Sequence, residues 1–122
     1  MIDASDDAVI RGEDLIESGD LAGAYALTMQ VTQHQPDNAG AFNNLGVIHH
    51  LQGRNEMAAE ALSRALSLDP TPDTAVNLFH VYMAMGSFER IKAFLTEQQD
   101  LWRPQDLAEI NIRLEAFKAT RQ

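Results

Sequence analysis

Residues 39–70 read AGAFNNLGVIHHLQGRNEMAAEALSRALSLDP, and this stretch decides the fold. Phe42, Leu45 and His49 stand three and four residues apart, the spacing of one face of an α-helix. Gly46 sits beside Leu45 on that helix, where the lack of a side chain lets a second helix come close. Gly53 breaks the pattern, because glycine takes the left-handed backbone that ends a helix. Ala58, Leu62 and Ala65 then mark a second helix whose small residues press on its neighbours. Pro70 has no amide proton and cannot continue a helix, so it forces the next turn. The stretch is a helical hairpin of about 34 residues.

The same punctuation recurs on either side. Gly19, Gly53 and Gly86 are spaced 34 and 33 residues apart, Pro36 and Pro70 by 34, and Leu45 and Leu78 by 33. The first unit runs Ala8-x2-Arg11-Gly12-x2-Leu15, then Gly19, Ala24-x3-Thr28, Val31 and Pro36. The third runs Ala75-x2-Leu78-Phe79-x2-Tyr82, then Gly86, Ile91-x3-Leu95 and Gln98. Two positions depart from the middle unit. Phe79 replaces the small residue of the helix contact and Ile91 replaces the alanine, so the third pair is expected to splay. Beyond Pro104, Leu107, Ile110, Leu114 and Phe117 form one more amphipathic stripe, suited to cap the last apolar face.

This pattern resembles the tetratricopeptide repeat: an aromatic residue, then Leu-Gly, then a tyrosine-like position, then Ala-x3-Phe and a closing proline. The resemblance covers nearly the whole chain. It implies an all-α, right-handed solenoid of about seven helices, near 5–17, 21–34, 39–51, 55–68, 73–85, 88–99 and 105–120. As a domain this is a single unit over 1–122, with repeats at 5–38, 39–71 and 72–104 and a capping helix at 105–120. The structural positions are Gly12, Gly19, Pro36, Leu45, Gly46, Gly53, Ala58, Pro70, Leu78, Tyr82 and Gly86.

Composition narrows the function. Hydrophobic residues make up 45% and charged residues 22%, a balance that can build a core. There is no cysteine, which excludes disulfides and thiolate metal sites. The start, Met1-Ile2-Asp3, is acidic where a secretory leader is basic, and no stretch approaches 18 apolar residues. A cytoplasmic location without membrane insertion is the expectation. Net charge is −9, with eight acids against Arg11 alone in residues 1–37. Such a field repels a phosphate backbone, so nucleic acid is not an expected partner.

No phosphate loop, dinucleotide fingerprint or nucleophile elbow is present, and catalysis and cofactors are not expected. His49 takes the tyrosine-like position and reads as a packing residue. His50 and His80 are placed by the resemblance on the concave side. Two imidazoles without a third ligand do not make a metal site. Phe42, Tyr82, Phe88, Phe94, Met29 and Met57 read as core, and Trp102 as a staple for the cap.

The resemblance also implies a binding mode, in which the first helix of each unit lines a concave channel that takes a peptide or a partner's helix. Carried over by position, that channel holds Val9, Glu13, Ile16, Asn43, Asn44, Val47, His50, Leu51, Val76, Asn77, His80 and Met83. Asn44, Asn77 and Asn111 are spaced 33 and 34 apart, each just before an apolar residue (Leu45, Leu78, Ile112). Some members carry asparagines there as a ladder that clamps a ligand's backbone, since an amide donates and accepts at once. The first unit has Ile10 instead. The carboxylate clamp of chaperone-binding members fails, because the matching positions are Val9, Glu13, Asn44, Asp73 and Asn77. The expected function is a non-catalytic protein-binding module. The alternatives are a dedicated chaperone for a secretion or pilus subunit, a self-assembling scaffold that forms a homo-oligomer, or a piece of a larger enzyme that only positions its substrate.

Overall fold

The computed structural model describes residues 4–120; Met1–Asp3, read above for a leader, lie outside the described residues. Seven helices follow one another: α1 (Ala4–Glu17), α2 (Leu21–His34), α3 (Ala39–Leu51), α4 (Asn55–Leu68), α5 (Pro72–Met85), α6 (Phe88–Glu97) and α7 (Pro104–Thr120). The chain is all-α, and these spans lie close to those read from the repeat.

Local chemistry sets the ends. Asp20, Asn38, Thr71 and Ser87 each precede a helix and accept a hydrogen bond from the backbone N–H three residues on, meeting a donor the helix leaves free. Gly19, Gly53 and Gly86 have φ of 86°, 77° and 73° and close the first helix of each pair. Pro72 and Pro104 open α5 and α7, where a missing N–H is no loss.

Gly46 sits against α4. A Cβ there would collide with Leu62 Cγ and stand 3.3 Å from the Ala58 carbonyl oxygen. The α3–α4 hairpin is therefore the closest packed. Further on, Phe79 is fully buried and joins Leu62, Leu78, Val81, Ile91 and Phe94 in the main core. The contact between α5 and α6 is correspondingly sparser than that between α3 and α4.

The cap closes this core from the other end. Ile110 is buried, and Leu114 and Phe117 pack on the cluster, with the Phe117 ring stacked on Phe88 at 6.0 Å. Leu107, read into the same stripe, is 46% exposed instead. Trp102 donates Nε1–H to the Leu95 carbonyl at 3.2 Å and meets Phe94 edge-on, which ties the α6–α7 connection to α6.

The helices curve as a solenoid. The first helices of successive pairs touch one another, α1 on α3, α3 on α5 and α5 on α7. Among the described residues, no Cα of α2 comes within 8 Å of α4, nor any of α4 within 8 Å of α6. Helices in contact line the inside of the curve and separated ones the outside. The concave face therefore belongs to α1, α3, α5 and α7.

Candidate concave binding face

The centre of the concave face is an amide pair. Asn77 Nδ2 donates to Asn43 Oδ1 at 3.1 Å, joining α5 to α3. Both residues are half-buried. Each amide has an NH2 end and a carbonyl end, so the one bond between them leaves the Asn43 NH2 and the Asn77 carbonyl able to donate and accept. Val47, Val76 and Met83 are half-buried on the same two helices, and Leu51 is 55% exposed at the end of α3.

The asparagine series departs from the expected ladder in two places. Asn44 is 2% exposed, and its Nδ2 donates to the Val9 carbonyl at 3.0 Å. It is a bolt between α1 and α3 rather than a ligand clamp. Gly12 makes room for it, since a Cβ there would lie 3.1 Å from Asn44 Nδ2. Asn111 is exposed and out of register. The buried apolar residue of α7 is Ile110 at 3% exposure, whereas Ile112 is 72% exposed. The residue just before the buried position is thus Glu109. The connection from α6 to α7 is what shifts the phase.

Glu109 is the site residue that sequence reasoning missed. Its Oε1 accepts from His80 Nε2 at 2.8 Å and from Arg113 Nε at 2.9 Å. These hydrogen bonds, that from His80 first, hold its carboxyl below the usual range. The cap stripe through Ile110 and Leu114 was the available signal, because it conflicts with a repeat phase set on Ile112. His50 does not join His80. Its Nδ1 lies 3.1 Å from Asn55 Oδ1 at the start of α4.

A second polar knot sits at the start of α7. Asp106 is 4% exposed and accepts from the Arg103 backbone N–H and from Nε, both at 2.9 Å. Arg103 Nη2 also reaches Asp73 Oδ1 on α5 at 2.9 Å. The Arg103 hydrogen bond keeps the Asp106 carboxyl below its ordinary range. His49, by contrast, is 4% exposed with Nδ1 unpartnered, and burial first, then the nearby Arg54 charge, pushes its imidazole toward the neutral form.

Residues 39–72 match the family described as tetratricopeptide repeat. A mutant O-GlcNAc transferase from Thermobaculum terrenum has a similar structure, with a TM-score of 0.76 and 28% sequence identity over 93% of this chain. The chain spans only 23% of that transferase chain. No curated protein sequence matches it. The central hairpin matches the tetratricopeptide repeat, and the fold as a whole is similar to the helical-repeat structure of that transferase. Repeats of this kind serve as protein–protein interaction modules. No helix among the described residues is long and apolar enough to cross a membrane.

Proposed function

We propose that the chain is a non-catalytic binding module that holds an extended or helical segment of a partner protein along α3 and α5. The observation that carries this reading is the Asn43–Asn77 pair, which leaves an amide NH2 and an amide carbonyl for a ligand on the concave face. A peptide unit offers the complementary acceptor and donor, and such bonds bind backbone without selecting a side chain. Val47, Val76 and Met83 beside the pair supply apolar contact, the methionine being the most adaptable. The ligand segment is accordingly apolar on one side.

Peptides selected from a random twelve-residue display library provide the test, with affinity measured on wild type and on Asn43→Ala/Asn77→Ala. Two hydrogen bonds of about 0.5–1.5 kcal/mol each predict a loss of roughly five- to a hundredfold in a folded double variant. Equal affinity would overturn the concave-face reading.

A further inference from the structure

The outer surface carries two clefts, one between α2 and α4 and one between α4 and α6. Both arise where the second helices separate over a first helix. The one between α2 and α4 has a volume of about 350 Å³. Its walls are Tyr25 and Met29 of α2, Phe42 and His49 of α3, and Met57 and Ala61 of α4. The one between α4 and α6 has about 270 Å³ and is lined by Ser63, Ser67, Tyr82, Phe94, Glu97 and Gln98.

The internal repeat explains the difference. Ala61 corresponds to Phe94 and His49 to Tyr82, each 33 residues on, while Met29 corresponds to Ser63, 34 residues on. In the third unit Phe94 is buried edge-on against Tyr82 at 5.2 Å and occupies the space that Ala61 leaves empty. The first cleft is therefore the roomier of the two where Ala61 and His49 are smaller than their counterparts, and a methionine lines it where the other has a serine.

Its contents point to an occupant. Met57 leaves a thioether 48% exposed at the mouth. Two thioethers, with the rings of Tyr25, Phe42 and His49, favour an aromatic group by sulfur and edge contacts. The volume lies at the low end of the roughly 300–1,000 Å³ of ligand sites, which suits one large side chain. Charge adds a direction. The Arg64 guanidinium is committed to the Pro36 carbonyl at 3.0 Å and to the Phe42 face at 5.2 Å. Glu60 on the rim is exposed and makes no hydrogen bond or ion pair among the described residues. Arg64 remains a cation there, and Glu60 is the rim charge that has no partner to hold it, on a chain of net charge −9.

We propose that the cleft between α2 and α4 is a second docking site, which takes an aromatic side chain of a partner polypeptide with a lysine or arginine next to it. The ring enters between Met29 and Met57, and the cation meets Glu60. This site lies on the opposite face from the Asn43–Asn77 pair and does not depend on it.

Acetyl-Trp-Arg-amide is the probe, titrated into the labelled full chain and followed by amide chemical shifts. Saturable shifts are expected in α2, α3 and α4 around the cleft. Acetyl-Ala-Arg-amide should bind roughly tenfold more weakly through loss of the anchor, and acetyl-Trp-Glu-amide several-fold more weakly. Ala61→Phe copies the third unit and should abolish binding in a folded protein. Should that variant fail to fold, Glu60→Gln, an exposed change, should reduce the preference for Trp-Arg over Trp-Glu. The proposal is overturned by an absence of saturable shifts, by shifts confined to Val47, Val76 and Met83, by unchanged binding in Ala61→Phe, or by an unchanged preference in Glu60→Gln.

Discussion

Single residues set the joints of this solenoid, and two of them give direct tests. Gly46 lies against α4, with Leu62 and the Ala58 carbonyl in the space a side chain would need. Gly46→Ala should destabilise by about 1–3 kcal/mol, as overpacking does, read from the urea midpoint. His49 is a buried imidazole held neutral below its ordinary 6.5. The unfolded chain takes up a proton there near pH 6.5 while the folded chain does not. The stability is thus fully present above about pH 6.5 and falls as pH drops below it, until the folded imidazole also protonates. The slope from one such group is at most about 1.4 kcal/mol per pH unit. His49→Tyr, which installs the residue of the third unit, should flatten that slope in denaturation measured from pH 7.5 to 5. An unchanged slope would show that His49 is not its source.

At the scale of the element, the capping helix is the informative case. Ile110 packs against the core, but Arg103 decides where α7 starts. It grips Asp106 and reaches back to Asp73. Asp106 is nearly buried, so its charge depends on that partner. Asp106→Ala should leave Arg103 only its bond to Asp73 and loosen α7, seen as faster amide exchange across 104–120 with little change in α3 and α4. Uniformly faster exchange would mean that the cap and the central hairpin unfold together. The helix starts are simpler: Ser87→Ala removes the bond to the Arg90 N–H and should cost about 1 kcal/mol.

For the whole molecule, charge is the controlling property. Eighteen acids oppose nine bases, and the acids crowd the first third of the chain. The concave face has Glu13 and Asn77 where a carboxylate clamp needs cations. An acidic chaperone tail should therefore show no binding in titration calorimetry, and micromolar heat would refute this. The same field favours basic partners on either face and speeds their encounter at low salt.

Spacing by itself determined the helical hairpins, their near-34-residue repeat and the glycine that closes each first helix. These are local matters, because a helix face and a left-handed turn depend on residues within a few positions of each other. The resemblance to a known repeat, and not spacing, is what put Asn43, Asn77 and His80 on the first helices of their units. What each side chain meets was decided only by tertiary packing. Asn44 and Asn43 are neighbours in sequence, yet one is a buried bolt to Val9 and the other faces the groove, because a helix turns 100° per residue. Asn111 fell out of register because the α6–α7 connection changed the phase, which no count across a loop reveals. The cleft between α2 and α4 is roomier than the one between α4 and α6 because Ala61 and His49 are smaller than Phe94 and Tyr82. Volume left unfilled is a property of facing helices, and it becomes visible only once they are brought together.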